Sequence, residues 1–272
     1  VKKTFELNAV VTQRIDLAPG LMVLRIAPES GPVPTFQSGQ FAVIGLPASA
    51  PRTPMADRDE PNPDPDRFIR RAYSIASPSL PGEHLELFLT LVRSGELTPR
   101  LFALQKGSRL WLGPKITGLF TLAEVPADQD IVMVATGTGL APYMSMLRTG
   151  ITSNPNRRFA VLSGARHSWD LGYTAELTTL SRVCPNFTYL PIVSRPKDEP
   201  TPWGGASGYV QSLWTGGALE KGFGHKPTPQ RTHVFLCGSP QMTEEMTTLL
   251  TGEGFAVHEK GKPGQVHVEK YW

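Results

Sequence analysis

From residue 131 onward one pattern recurs: a short apolar run, a turn, then an amphipathic stretch. Ile131–Ala135, Phe159–Gly164, Phe187–Val193 and His233–Cys237 read as strands. Pro142–Arg148, Trp169–Arg182 and Pro240–Leu250 read as the helices between them, and Val266–Glu269 as a strand that closes the sheet. Strands that alternate with helices must run mainly parallel, because each helix carries the chain back to the same edge; the helices then cover both faces.

The first half obeys a different rule. Phe5–Ile15, Leu21–Ala27, Gln40–Leu46, Ala72–Ala76, Leu85–Val92 and Arg109–Leu112 are strand-like runs separated by turn residues, which predicts a barrel or a sandwich. One short helix is expected after Thr98, with Thr98 as its N-cap and Pro99 at its first position. The change of pattern near Glu124–Asp130 sets a boundary between domains at 1–125 and 126–272, and 272 residues suffice for two cores. Ala48–Arg67, dense in proline and aspartate, interrupts the strands and has little to bury. It is read as an extended or mobile excursion, either a tolerated surface insertion or a flap over a cofactor or partner.

Several classes of function are excluded by composition. Two cysteines, Cys184 and Cys237, are too few for a four-cysteine iron–sulfur or zinc site, so no metal is expected. A net charge of +3 is too mild for a nucleic-acid binder. No apolar run reaches the roughly 18 to 20 residues that span a bilayer. The alternating first segment lacks the apolar centre of a signal peptide and is read as a strand, so the chain is expected to be cytoplasmic.

Two motifs carry chemistry. Gly137-Thr138-Gly139-Leu140-Ala141-Pro142 follows an apolar strand and opens a helix. Backbone N–H groups at such a turn, with no side chain in the way, suit a nucleotide pyrophosphate; a plain tight turn has the same sequence requirements. Arg70-Arg71-Ala72-Tyr73-Ser74-Ile75-Ala76-Ser77-Pro78 places a cation and an aromatic ring two residues apart on a strand, hence on one face. Arg71 can clamp a phosphate and Tyr73 can lie against a flat ring. The same residues also describe a surface arginine beside a core tyrosine.

With Gly39-Gln40-Phe41, Gly95-Glu96-Leu97-Thr98, Val193-Ser194-Arg195, Gly208-Tyr209-Val210-Gln211, Cys237-Gly238-Ser239-Pro240-Gln241-Met242 and the terminal Val268-Glu269-Lys270-Tyr271-Trp272, these pieces resemble, in order and spacing, the plant-type ferredoxin–NADP⁺ reductase superfamily. The resemblance covers nearly the whole chain. It implies an N-terminal antiparallel β-barrel that binds FAD and a C-terminal Rossmann-like parallel sheet with flanking helices that binds NADPH/NADP⁺. In that pattern Arg71 binds the FAD pyrophosphate, Tyr73 stacks on the flavin, Ser74 hydrogen-bonds flavin N5, and Ala72 and Thr98 complete the site. Thr138 and Gly139 approach the NADP pyrophosphate, and Arg166 lies near the nucleotide, unless it is simply a solvated surface arginine. Ser194, Arg195 and Gln211 hold the 2′-phosphate and Tyr209 stacks on adenine. Cys237 lies beside the nicotinamide and Glu269 fits the active-site glutamate; taken alone, Cys237 reads as a buried structural cysteine.

A chain ending in two large aromatics is unusual, since ends are normally polar and frayed. The resemblance implies that Tyr271 covers the flavin face and Trp272 lies one residue beyond, against the FAD adenine; which of the two covers the flavin stays open. Tyr209 stands where many bacterial members have arginine, which leaves the strength of the NADPH preference open. The activity implied is hydride transfer between NADPH and FAD, then single-electron exchange with ferredoxin or flavodoxin, by a monomer that meets its carrier transiently. Arg67, Arg70, Arg93, Arg100, Lys106 and Lys115 are the basic residues expected to steer an acidic carrier, or else an ordinary solvated face. Two rivals stand beside it: the reductase component of an oxygenase or a flavin reductase, which shares the cofactors, and, of another class, an electron-transfer subunit of a larger complex.

Overall fold

Gly20, at φ +80°, takes a left-handed conformation that turns β1 (Ala9–Ala18) back as β2 (Leu21–Pro28). This hairpin joins β3 (Phe41–Pro47), β4 (Phe68–Ser74), β5 (Leu85–Thr90) and β6 (Arg109–Thr117) in the antiparallel order β4-β3-β6-β1-β2-β5. Just past β4, Ile75 bridges Leu87 of β5, and the Ala76 N–H donates to the Glu86 carbonyl at 2.7 Å. The two edges of the sheet therefore meet, and of the two expected forms the barrel is observed. Its core gathers Met22, Leu24, Ile26, Ile44, Leu85, Leu87 and Leu110. The fold is a computed structural model that describes residues 6–58, 64 and 67–270.

The chain divides into two compact units, one running through Thr121 and including Met144–Thr149, the other comprising Leu122–Tyr143 and the residues from Gly150 onward. In the first unit, the Glu86 carboxylate is 2% exposed and lies between Arg25 and Arg148, each at 2.7 Å. The buried charge is thereby paired twice.

The short helix α1 (Thr98–Leu101) forms where expected, but its cap is Leu97, and Thr98 is already helical. The Thr98 hydroxyl is turned back across the preceding loop. It accepts from the Val92 N–H at 3.0 Å and donates to the Val92 carbonyl at 3.2 Å. A side chain that bridges the Val92–Thr98 turn is not available to cap the helix.

The described residues of the excursion after β3, 48–58 with 64 and 67, are tied to neighbouring segments. The Ala48 N–H donates to the Arg67 carbonyl at 2.8 Å and closes its base. The Thr53 N–H donates to the Pro99 carbonyl at 2.9 Å and the Asp57 N–H to the Arg93 carbonyl at 3.1 Å. Arg52 donates to the carbonyls of Gly95 and Arg93. The backbone of Thr53 and Asp57 thus finds its partners on the 92–100 segment. Arg100, expected on a basic surface, is instead 4% exposed, because its guanidinium fills the gap between the Ala48 and Glu96 carbonyls.

In the second unit β7 (Asp130–Thr136), β8 (Phe159–Ala165), β9 (Phe187–Val193), β10 (Ala206–Ser207), β11 (Thr232–Cys237) and β12 (Val266–Glu269) form one parallel sheet, ordered β10-β9-β8-β7-β11-β12. A 3-10 turn over Gly137–Leu140 leads into α2 (Ala141–Gly150), so the helix begins later than the glycine turn itself. The expected helix Trp169–Arg182 is split. A 3-10 turn covers Ser168–Asp170, and α3 (Thr174–Val183) starts only after Tyr173, whose φ of 57° breaks the helical run. Two short helices, α4 (Val210–Thr215) and α5 (Ala218–Phe223), were not legible, because glycines at 216 and 217 leave each only six residues. The last helix, α6 (Pro240–Gly252), has Ser239 as its N-cap, accepting from the Met242 N–H. Cys184 and Cys237 form no disulfide, and no helix among the described residues is long and apolar enough to cross a membrane.

Candidate functional site

In the first unit the expected residues fall on β4 and on the turn before α1. β4 pairs with β3 along Phe41–Pro47, and Arg70, Arg71 and Ala72 are all exposed. Tyr73 is half-buried against the barrel core, and burial raises its hydroxyl pKa above the ordinary value, so the ring stays neutral. Ser74 is buried. Arg71 donates to the Arg70 carbonyl at 2.8 Å and to Glu96 Oε2 at 3.1 Å. Arg67 grips the other oxygen of the same carboxylate. The Arg67 hydrogen bond is the largest of the effects that hold the Glu96 carboxyl below its usual range. Two guanidinium groups thus converge on one oxyanion beside the Gly95–Thr98 turn, which is the donor chemistry a phosphate needs.

In the second unit the carboxyl ends of β7 and β11 lie side by side, with Ala135 opposite Cys237. Gly139 is pressed against this seam. A Cβ there would lie 2.1 Å from the Cys237 carbonyl oxygen. Gly137 has φ +55°, and a Cβ built on it would meet nothing within 4 Å. One glycine therefore serves close packing and the other leaves open space, with Thr138 between them. Gly238 has no room either, since its Cβ would meet Thr136 Oγ1 at 2.2 Å. That hydroxyl accepts from the Ser239 N–H at 2.8 Å and ties the β7 turn to the start of α6.

The buried Cys237 lies opposite Glu269 on β12, with Sγ 4.0 Å from Glu269 Oε2. Beneath them Tyr143 is fully buried and its hydroxyl donates to the Phe235 carbonyl at 2.8 Å. Burial raises its pKa well above the ordinary value; the fields of Cys237 and Glu269 add to this.

The chain now matches known proteins along nearly its whole length. Residues 133–248 fit the family model described as the oxidoreductase NAD-binding domain. The flavodoxin/ferredoxin–NADP reductase of Escherichia coli (strain K12) is 32% identical over 244 residues, covering 89% of this chain and 90% of that protein. The protein of the same name from Buchnera aphidicola subsp. Baizongia pistaciae is 30% identical over 246 residues, with the same coverage. This chain belongs to the flavodoxin/ferredoxin–NADP reductase family. Among solved structures, a ferredoxin NADP+ reductase from Neisseria gonorrhoeae with bound FAD and NADP superposes with a TM-score of 0.79 at 25% identity, covering 100% of both chains.

At the outer end of the parallel sheet in this family member, Ser194 and Arg195 follow β9 beside Arg166, which follows β8. The Ser194 N–H donates to the Ala165 carbonyl at 3.0 Å and the Arg195 N–H to the Arg166 carbonyl at 2.9 Å. Both arginines are exposed, and Tyr209, at the N-terminus of α4, is 73% exposed. Gln211 does not point to an empty space: its amide donates to Glu245 Oε2 at 2.7 Å, and Gln241 donates to Glu245 Oε1 at 2.8 Å. Tyr271 and Trp272 lie outside the described residues.

Reading the sequence did not single out Glu96, Tyr143 or Glu245. Glu96 sits inside the quoted Gly-Glu-Leu-Thr turn, where an acid among phosphate-binding residues is itself a signal. Tyr143 and Glu245 lie on helices with ordinary spacing and leave none.

Proposed function

We propose that the protein is an FAD-dependent ferredoxin/flavodoxin–NADP reductase, passing electrons between NADPH and a ferredoxin or flavodoxin. The observation that carries this reading is the match to reductases of that name over 89% of the chain. FAD and NADPH, when bound, supply the redox chemistry: a hydride exchanged between nicotinamide and flavin, and single electrons exchanged with the carrier.

The chain's own residues bind and orient. Arg71 is the residue to hold the FAD pyrophosphate, and the carboxylate already seated on its guanidinium supports that fit. Tyr73 offers a neutral aromatic face and Ser74 a hydroxyl one residue on, for the flavin ring and its N5; exposed Ala72 leaves the strand unobstructed between Arg71 and Tyr73. Thr98, whose hydroxyl fixes the turn from Val92, holds the pyrophosphate-binding loop in shape. In the second unit the open Gly137 turn with Thr138 takes the NADP pyrophosphate, while Gly139 sets the distance to Cys237. Arg195, Ser194 and Arg166 supply donors for the 2′-phosphate, Tyr209 a face for adenine, and Gln211 a further donor once released from Glu245. Cys237 and Glu269 line the nicotinamide position. They align the ring without taking part as nucleophile or base, and Tyr143 supports them from below. Tyr271 and Trp272 are assigned to the flavin and adenine faces on the resemblance alone.

The test is anaerobic stopped-flow reduction of the purified flavoprotein at matched NADPH and NADH, followed at the flavin bands. Much faster reduction by NADPH is the expected result. Equal or faster reduction by NADH moves the assignment to an oxygenase-type or flavin reductase, and failure to retain or take up FAD overturns it.

A further inference from the structure

The excursion between β3 and β4 ends at Arg67, and its described residues are stitched to the 92–100 segment at several points. Arg52 reaches the Gly95 carbonyl at 3.1 Å, Asp57 pairs with Arg93 Nε at 3.2 Å, and Arg100 joins the Ala48 and Glu96 carbonyls. The outcome is the delivery of a second guanidinium to the carboxylate that Arg71 also holds.

Stability does not account for this gathering. The side chains of Arg67, Arg71 and Glu96 are 47%, 57% and 39% exposed, and exposed ion pairs contribute little to folding. Both guanidinium groups sit at the surface next to the turn assigned to the pyrophosphate. Two guanidinium forks on the two oxygens of one carboxylate also match a ligand whose acidic oxygens are spread over two adjacent phosphorus centres. We propose that Arg67, presented by the proline- and aspartate-rich excursion, is a second cation of the FAD pyrophosphate site, with Glu96 holding the two arginines together. The inference rests on the reading of Arg71 given above.

The experiment is serial dilution of the holoprotein at low and moderate salt, with released FAD read by its fluorescence. It compares the parent with Arg67→Ala, Arg67→Lys and Arg71→Ala. Arg67→Ala is expected to raise the FAD Kd about 5- to 30-fold and to flatten its dependence on salt, with Arg67→Lys in between, because a lysine keeps the charge and loses the fork. If Arg71→Ala weakens FAD while Arg67→Ala stays within about twofold of the parent, this inference fails and the site stands. If neither variant weakens FAD, the assignment of Arg71 fails first. A loss of FAD in Arg67→Ala that moderate salt leaves unchanged and that comes with a lowered Tm also overturns the inference, since it marks lost packing.

Discussion

Gly139 and Cys237 touch through their backbones: a Cβ on residue 139 would stand 2.1 Å from the Cys237 carbonyl oxygen and 2.8 Å from the Gly238 nitrogen. The glycine turn and the end of β11 are therefore one packed unit. Gly139→Ala must push them apart. The expected outcome is a loss of about 1–3 kcal/mol in stability, as in other overpacked sites, together with slower reduction by NADPH. Gly137→Ala, with open space but φ +55°, is expected to cost about 1–2 kcal/mol through backbone strain alone. Urea denaturation and single-turnover reduction of the two variants separate these effects.

Cys237→Ser and Glu269→Gln are expected to slow flavin reduction by about 10- to 100-fold with little change in NADPH binding, because small misplacement of a reacting ring is costly. Stopped-flow reduction across a range of NADPH concentrations gives the limiting rate and the apparent affinity separately. A change confined to affinity would show that the pair binds the nucleotide and does not align it.

Arg195→Ala is expected to weaken NADPH about tenfold or more and to leave NADH nearly unchanged, since the 2′-phosphate is all that distinguishes them. Glu245→Gln should act in the opposite sense. It turns the carboxylate 2.7 Å from Gln211 into a neutral amide and, at the 2′-phosphate site proposed above, removes a like charge, an effect expected to shrink with added salt. The ratio of kcat/KM values for the two nucleotides, at two salt concentrations, reads both.

Glu86 tests the barrel. Its carboxylate is nearly fully buried and held by Arg25 and Arg148. Glu86→Ala leaves two partly buried guanidinium groups without their carboxylate and is expected to cost about 1.5–3 kcal/mol. Removal of the exposed Asp57–Arg93 pair should change stability by no more than about 1 kcal/mol. Denaturant midpoints at pH 7 compare them.

The parallel sheet carries a pH sensor of stability. His267 is stacked on Phe235 at 4.3 Å and on His258 at 4.5 Å, with His233 Nδ1 2.9 Å from its Nε2. Burial, then the neighbouring His258 and His233, push its pKa from 6.5 down to about 3, and His233 shifts in the same direction. Between those values the unfolded chain takes up a proton that the folded chain refuses. Stability is therefore full above pH 6.5 and falls as pH drops toward 3, by up to about 1.4 kcal/mol per pH unit for one such group. Melting temperatures from pH 7.5 to 5 should fall accordingly. His267→Phe keeps the stack but cannot titrate, so its slope should be shallower, even though His233 loses a partner.

The local sequence determined much of this protein. Apolar runs with period two or with no polar breaks, glycines where a left-handed turn or close approach is needed, and alternation of strand and helix fixed the order of the main strands and longer helices in both halves. They also placed Arg71, Tyr73, Gly137, Cys237 and Glu269 near strand ends, because those are properties of neighbouring residues. Tertiary structure decided the rest. Arg100 looked like surface charge until it met the Ala48 carbonyl 52 residues away. Thr98 looked like a cap until Val92 took its hydroxyl. Thr53 and Asp57, in a stretch with little to bury, found backbone partners on the 92–100 segment. Each depends on a polar group meeting a partner outside its own element, six residues away for Thr98 and 52 for Arg100. Composition records that such a group exists, but only the folded chain determines which partner satisfies it.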